Sequence, residues 1–351
     1  MNINPIIESN IDKKLLSDFS VGLICAVHKN SYQVYCDGKP VRGELSGRMQ
    51  FSAESALDYP TVGDYVYFQI ADDQTALIIH ELVPRYSVLK RKVAGKQIDY
   101  QLLGANIDVA FIMQSLDQNF NINRLDRYLV MINEAGIIPR ILLSKADLQT
   151  EREIEQKIIL ISESYPDMEV LAFSSIDMQG LNSVKNMLVQ DQTYCLLGSS
   201  GVGKTTLLNQ LIGKNLLVTE AVRDKDGRGR HTTSARQLIL LANGARIIDT
   251  PGMRELGNFG NEKGLSGTFT EIESFAENCR FKNCSHEHEI GCAVLNAVAN
   301  GELAQQQFDN YLKMRREAAH YDRSYLEQRQ RGKEFAKMYK AVMKEWKKAR
   351  H

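Results

Sequence analysis

The chain has 351 residues, enough for two or three domains that each bury a core of their own. Its 43 basic and 43 acidic side chains cancel, so overall charge gives no sign of a nucleic-acid partner. No apolar run approaches the roughly 20 residues that span a bilayer, and residues 1–20 lack the apolar segment of a secretory signal. These features argue against a membrane protein and predict a cytoplasmic one.

Residues 20 to 90 have the pattern of a small β-barrel. Strand-like segments follow one another at Gly22–Val27, Tyr32–Cys36, Val62–Ile70 and Ala76–Ile79, and hairpin-forming residues separate the first two. Several short strands in such a stretch are typical of an OB-fold. We therefore expect an OB-fold domain over residues 1–95. Its alternative role is only to dock other proteins.

Buried-strand runs alternate with helical patterns from residue 100 onward. This alternation predicts a central α/β domain over residues 96–262, a parallel sheet with helices on both faces. Residues 263–351 lose the strand pattern and predict a mostly helical third domain. That domain ends in a basic stretch, Arg329 to Arg350, which is either a solvated helix face or an RNA contact.

The strongest motif is a glycine-rich loop that directly follows an apolar strand. Small residues let backbone N–H groups surround a phosphate chain, and the next helix points its positive end at the same oxygens. Lys204 is expected to reach the β- and γ-phosphates, and Thr205 to bind Mg²⁺. The predicted nucleotide contacts are Gly198, Ser199, Ser200, Gly201, Val202, Gly203, Lys204, Thr205 and Thr206.

A second phosphate-side motif, Asp249-Thr-Pro-Gly252, comes at the end of a predicted strand after the glycine-rich loop. The Asp249 carboxylate is expected to hold Mg²⁺, and the Gly252 amide to sense the γ-phosphate. This spacing and context are those of a GTPase switch.

A base-reading motif, Ser144-Lys-Ala-Asp147, lies before the phosphate loop. Asp147 could accept both hydrogen bonds from N1 and N2 of guanine, donors that adenine lacks on that edge. The Lys145 stem would pack along the base, and the Ser174-Ser175 backbone would meet guanine O6. The order of base motif, phosphate loop and switch predicts a GTPase whose motifs are circularly permuted.

A cysteine cluster follows the switch. Cys279, Cys284 and Cys292, with a histidine between the last two, offer three thiolates and one imidazole, a set typical of a closed structural zinc site. Both His286 and His288 lie between Cys284 and Cys292, so either could supply the imidazole.

Together these motifs resemble the RsgA/YjeQ family of ribosome small-subunit-dependent GTPases over nearly the whole chain. The resemblance is carried by Asn123–Arg127, the glycine-rich loop, Gly229–Thr233, Asp249–Gly252 and residues 279–294. It implies GTP hydrolysis that the small subunit stimulates and that is linked to release in late subunit maturation. It further implies contact with 16S rRNA and the cofactors GTP or GDP, Mg²⁺ and one structural zinc. The family spacing implies His286 as the fourth zinc ligand. A monomer without DNA or membrane partners is expected.

The sequence lacks the usual group for positioning the attacking water. Met253 stands where many GTPases have a glutamine, so another residue has to orient the water. His231 is the candidate because its pKa suits that task near neutral pH, and the resemblance implies the same role. The alternative is a surface histidine or an RNA contact. Thr232 or Thr233 is expected to complete the Mg²⁺ shell.

One position departs from the family pattern. Ser144 replaces the usual asparagine that braces the base-reading loop against the phosphate loop, so weaker guanine selectivity is expected. The rival interpretations are a GTPase regulating a non-ribosomal RNA or protein, an ATP-dependent kinase or ATPase, and an RNA-binding module with incidental nucleotide binding. Asp147 and the switch motif favour guanine over adenine nucleotides.

Overall fold

The computed structural model describes residues 3–29, 31–71, 76–93, 99–213, 236–249 and 262–319. His231, Thr232, Thr233, Gly252 and the basic stretch from Arg329 to Arg350 lie outside these ranges. Contacts within the chain define two units, Met1–Arg91 with Gln101–Leu256 and Lys92–Tyr100 with Gly257–His351. The domain boundaries after residues 95 and 262 stay predictions. None of the described helices is long and apolar enough to cross a membrane.

Five strands near the N-terminus close into a barrel, as the strand pattern predicted. They are β1 (Ser20–Val27), β2 (Tyr32–Cys36), β3 (Lys39–Leu45), β4 (Tyr65–Ile70) and β5 (Leu77–Leu82). The neighbour order is β1-β2-β3-β5-β4, and β4 returns to pair with β1. Ile24, Val34, Phe68 and Ile79 form part of the barrel core. Helix α1 (Pro5–Asn10) precedes the barrel, and α2 (Gly47–Ser52) connects β3 to β4.

Two glycines allow the barrel to close around Val34. A Cβ on Gly22 would clash with the Val34 side chain, and one on Gly43 would lie 2.8 Å from it. Strand β3 was not expected from the sequence. It follows a tight turn at Asp37 and Gly38, whose φ angles of 49° and 81° are those of the hairpin turn that Asp-Gly pairs favour.

The central sheet continues in the order β10-β9-β8-β11-β13-β12. Its strands are β8 (Val109–Ser115), β9 (Ile138–Ser144), β10 (Val170–Ala172), β11 (Thr193–Gly198), β12 (Arg236–Leu240) and β13 (Arg246–Asp249). All neighbours pair in parallel except β12, which runs antiparallel to β13 and was not predicted. Strand β12 also pairs with β1, so barrel and central sheet are hydrogen-bonded to each other.

The described connections between strands of the central sheet contain the helices α3 (Ile122–Ala135), α4 (Glu151–Ser164), α5 (Leu181–Asn186) and α6 (Lys204–Ile212). Helix α3 packs on β8 and β9, α4 on β10, and α6 on β11. The core between them contains Phe111, Leu142, Phe173, Tyr194 and Leu207, all essentially inaccessible to solvent. Because this apolar core fixes the strands, it also fixes the loops that leave their carboxyl ends.

A two-stranded sheet, β6 (Val88–Val93) and β7 (Asp99–Ala105), follows the barrel along the chain. The described part beyond residue 262 is mostly helical, as predicted, with α7 (Glu262–Thr268), α8 (Thr270–Ala276), α9 (Ala293–Asn300) and a helical segment over residues 305–319. Phe269 and Tyr311 meet edge to face there, with ring centroids 5.4 Å apart.

Candidate functional site

The predicted nucleotide-binding segments converge at one edge of the central sheet. Strand β11 ends at Gly198, where the phosphate loop begins, and β13 ends at Asp249. Strand β9 ends at Ser144, and the Ser174 loop follows β10. Since these strands are parallel, their carboxyl ends lie at the same edge, the usual ligand edge of an open α/β sheet.

The phosphate loop needs glycine at three positions for two different reasons. Gly198, Gly201 and Gly203 have φ angles of 151°, 80° and 93°, a region that other residues rarely adopt. A Cβ on Gly198 would also lie 2.6 Å from the Met113 carbonyl oxygen. At Gly201 and Gly203 a Cβ would meet nothing within 4 Å, so there only the backbone conformation requires glycine.

The Lys204 ammonium lies across the phosphate loop. It donates to the carbonyl oxygens of Gly198 at 2.7 Å and Ser199 at 2.8 Å. Burial lowers the pKa of Lys204, while the Asp249 carboxylate opposes that shift. Burial likewise raises the pKa of Asp249, against the influence of Lys204. The two charges therefore act on each other where phosphates and a metal would bind.

Thr205 follows Lys204 as the second residue of α6 and is exposed. Its hydroxyl and the Asp249 carboxylate are hard oxygen donors, the class that Mg²⁺ prefers. The residues present therefore fit the metal predicted from the sequence. Thr206 is exposed on the next position of the same helix.

The base-reading loop is held by hydrogen bonds on both sides. Lys145 adopts a left-handed conformation, with φ of 61°, and a short 3₁₀ turn over Ala146–Leu148 follows it. Asp147 is exposed, and its Oδ1 accepts a 2.6 Å hydrogen bond from the buried Ser174 hydroxyl. Ser174 Oγ in turn accepts from the Ile176 amide at 3.1 Å. The two predicted base-side loops are thus tied together.

Ser144 makes the bracing contact that its departure from the family pattern had put in question. The side chain is buried, and its hydroxyl lies 2.6 Å from the carbonyl oxygen of Val202 in the phosphate loop. The Gln114 carbonyl oxygen also lies 3.3 Å from this hydroxyl, and because a hydroxyl has one proton, the closer Val202 oxygen is the better acceptor. The loss of the asparagine amide therefore does not remove the link between base-reading loop and phosphate loop.

Sequence reasoning missed four polar residues that join the predicted loops. The Gln210 amide on α6 donates to the Ser175 carbonyl oxygen at 2.6 Å. Of the other three, Asp117 and Asn119 come from the β8–α3 connection and Arg124 from the first turn of α3; they bond to Lys145 and Ser199. Arg124 lies inside a segment that carried the family resemblance, yet nothing in its local pattern indicated which loop it would contact.

The four candidate metal ligands come together as predicted. The sulfurs of Cys279, Cys284 and Cys292 and a ring nitrogen of His286 all lie within 4.8 Å of one another. Cys279 and Cys292 sulfurs are 3.8 Å apart, and His286 Nδ1 lies 3.4 Å from Cys292 Sγ. Sulfurs that share a tetrahedral zinc at about 2.3 Å lie about 3.8 Å apart. The cluster is therefore compatible with zinc.

The structure separates the two histidines of the cluster. His286 is buried, has a left-handed backbone conformation with φ of 59°, and places its Nδ1 3.6 Å from Cys279 Sγ. The His288 side chain is 91% exposed and lies beside Glu287. Cys292 also caps α9, because its sulfur accepts from the Leu295 amide at 3.4 Å, and this helix terminus favours a thiolate. These contacts agree with His286 as the fourth ligand.

This chain is similar to known GTPases of one family along nearly its whole length. The model of the RsgA GTPase family matches residues 82–259. Small ribosomal subunit biogenesis GTPase RsgA 2 of Vibrio vulnificus is 39% identical over 330 residues, covering 93% of this chain and 90% of that protein. Small ribosomal subunit biogenesis GTPase RsgA 1 of Bacteroides thetaiotaomicron is 39% identical, with coverage of 93% and 91%.

Solved structures share the fold. YloQ, a circularly permuted GTPase, is 27% identical with a TM-score of 0.61, covering 86% of this chain and 96% of that one. YjeQ from Thermotoga maritima is 24% identical with a TM-score of 0.63, covering 86% and 99%. The permuted order of the motifs and the sheet edge at which they meet agree with these likenesses. This chain belongs to the RsgA GTPase family.

Proposed function

We propose that this protein binds GTP and hydrolyses it on the small ribosomal subunit during late biogenesis of that subunit, in the cytoplasm. One observation carries the proposal: Ser144 joins the base-reading loop to the phosphate loop, so guanine and phosphates are read by one connected site. The names of the relatives, biogenesis factors of the small subunit, support the choice of partner. Contact with 16S rRNA and a monomeric state are parts of the same proposal.

In this proposal, one set of residues binds the guanine base and another binds the phosphates. Asp147 accepts from the guanine N1 and N2 groups, while the Ser174-Ser175 backbone meets O6. Lys204 and the amides of the phosphate loop bind the β- and γ-phosphates, with Ser200 and Gly201 at the exposed part of the loop. Thr205, Asp249 and either Thr232 or Thr233 hold Mg²⁺. When bound, this ion neutralises charge that develops on the phosphate oxygens.

His231 is proposed to orient the attacking water, because Met253 cannot do so. The expected result for His231→Ala is loss of subunit-stimulated hydrolysis with GDP affinity retained, since the imidazole is assigned to water and not to nucleotide. Full stimulated turnover in that variant would remove His231 from the mechanism.

The central experiment measures GTP and ATP hydrolysis with and without purified small subunits. Small subunits that stimulate hydrolysis of GTP but not of ATP would support the proposal, and Lys204→Ala should abolish the stimulated hydrolysis. Hydrolysis of GTP that is indifferent to small subunits would point to a non-ribosomal RNA or protein partner. Preferential hydrolysis of ATP would contradict the role given to Asp147.

We also propose that Cys279, Cys284, His286 and Cys292 bind one structural zinc ion. Four protein ligands leave no coordination position for a substrate, so the ion would serve folding and not catalysis. Purified protein should contain one zinc per chain, and a metal-free native protein would contradict the site.

A further inference from the structure

The loop between β8 and α3, residues 116–121, lies between the base-reading loop and the phosphate loop and bonds to both. At one end, the Asp117 carboxylate accepts a 2.8 Å hydrogen bond from the Lys145 ammonium. At the other, the Asn119 amide reaches Ser199 Oγ at 3.2 Å. Arg124, in the first turn of α3, donates to the same Ser199 oxygen at 2.9 Å.

These contacts form one continuous chain of hydrogen bonds. Asp117 Oδ1 accepts from the Ser115 hydroxyl at 2.7 Å and from the backbone N–H of Asn119 at 2.9 Å, so Asp117 is itself fixed by its own loop. The Arg124 guanidinium also donates to the Asn119 side-chain oxygen at 3.0 Å. Each member therefore holds the next, from Lys145 to Ser199.

The electrostatics of the chain agree with this arrangement. The hydrogen bond from Lys145 lowers the pKa of Asp117 to about 2, against the effect of burial. Both side chains are only about one-third exposed, at 35% for Lys145 and 28% for Asp117. Lys145 belongs to the base-reading motif and Ser199 to the phosphate loop, so the bonded loop spans the two halves of the nucleotide site.

We propose that Asp117, Asn119 and Arg124 are positioning residues that lock the base-reading loop and the phosphate loop into one guanine-nucleotide-binding geometry. This inference rests on the proposed binding of GTP and assigns the site a second link besides Ser144. A preorganised site loses less conformational entropy when the nucleotide binds. When this loop is cut at one end, its bonds at the other end lose their effect on nucleotide binding.

The test is a double-mutant cycle on the equilibrium affinity for fluorescently labelled GDP, with Asp117→Asn and Ser199→Ala. Asp117 bonds to Lys145 and Ser199 bonds to Asn119 and Arg124, so the two substitutions cut opposite ends of the chain. Each single variant should bind GDP about tenfold more weakly, the loss expected for a hydrogen bond to a charged group. Because one cut already breaks this chain of hydrogen bonds, the double variant should bind GDP about as weakly as the weaker-binding of the two single variants.

Independent losses that multiply to about a hundredfold in the double variant would overturn the proposal. So would singles that bind as the wild type does. Asp167→Asn, an exposed aspartate in the same unit, is the matched control and should leave GDP affinity unchanged. Thermal unfolding without nucleotide separates coupling from global destabilisation. Should Ser199→Ala fail to fold, Arg124→Ala with Asp117→Asn tests the same coupling.

The measurement needs neither hydrolysis nor ribosomal subunits. Wild-type protein that fails to bind GDP would overturn the proposed function together with this inference. Wild-type protein that binds GDP and shows multiplicative losses would overturn the inference alone.

Discussion

The two candidate ligand-binding regions of this chain are built in opposite ways. The cysteine cluster takes all its ligands from residues 279–292, inside one unit. The nucleotide site gathers loops from four strand ends, and its hydrogen bonds join residues far apart in the chain. Ser144 and Val202 are 58 positions apart, and Arg124 and Ser199 are 75 apart.

This difference determines what each region depends on. The nucleotide loops leave a sheet whose core residues are almost completely buried, so the geometry survives the loss of one polar contact. The cysteine cluster joins short helices and turns, and in many small zinc-binding domains such segments fold only when the metal is bound. We therefore expect one substitution in the cysteine cluster to abolish metal binding and local folding. In the nucleotide site we expect single substitutions to lower GDP affinity by different amounts.

Removing one zinc ligand should have the largest effect. In Cys292→Ser the hydroxyl can still cap α9, so the main loss is the thiolate, in a class of site where zinc contributes on the order of 10 kcal/mol to folding. We expect loss of bound zinc and rapid proteolysis around residues 279–300, with GDP affinity within about twofold of wild type because single contacts elsewhere act locally. Metal analysis and limited proteolysis measure this.

Cys36→Ser is the matched control for this prediction, since Cys36 lies in strand β2 of the barrel and is not one of the four candidate ligands. It should keep its zinc. A Cys292→Ser protein that retained one zinc per chain and native protease resistance would contradict the expected dependence on the metal.

Changing the base-reading carboxylate should give the next largest effect. Asp147→Asn replaces one acceptor by a donor that faces the guanine amino group, so GDP affinity should fall at least about a hundredfold. Xanthine has a carbonyl at that position and should be bound better by the variant than by the wild type. Competition between GDP and xanthosine diphosphate measures the change. Unaltered GDP binding would place the base elsewhere.

The sequence predicted those parts of both regions whose signals are local. The phosphate loop and the cysteine spacing are short motifs in which each residue type follows from its own chemistry, and the strands flanking the loop are apolar runs. Strands β3 and β12 were missed. Strand β3 has Lys39, Pro40, Arg42 and Glu44 at its exposed positions, so only the Asp37-Gly38 turn before it indicated a hairpin.

The links between the loops could not be predicted in the same way. Ser144, Arg124 and Gln210 are ordinary polar residues in sequence, and their contacts exist only because the parallel sheet brings its strand ends together. Ser144 shows the consequence. Its departure from the family pattern predicts weaker guanine affinity or selectivity, and that stays a prediction. The hydroxyl at this buried position nevertheless reaches Val202 directly.

Loss of that brace should weaken nucleotide binding without unfolding the sheet. Ser144→Ala leaves the Val202 carbonyl oxygen without the hydroxyl donor, a loss of about 1–3 kcal/mol where a buried group stays unsatisfied. We expect GDP affinity to fall about tenfold. Ser144→Thr keeps the hydroxyl and is the control. Equal GDP affinity in the alanine variant and the wild type would show that the brace has no part in nucleotide binding.

The smallest expected effect is at Gln210. It tests whether substitutions at the periphery of the nucleotide site lower GDP affinity less than substitutions near the base. Its amide donates to the Ser175 carbonyl oxygen at 2.6 Å and so ties helix α6 to the loop proposed to meet guanine O6. Gln210→Ala should weaken GDP binding by about threefold, because Ser175 is only half-buried and water can replace the lost donor. Asn209→Ala, an exposed neighbour on the same helix, should bind GDP as the wild type does. Titration of labelled GDP resolves a threefold change. A loss of GDP affinity as large as that of Asp147→Asn would mean that one lost contact disables the whole nucleotide site, as is expected for the cysteine cluster.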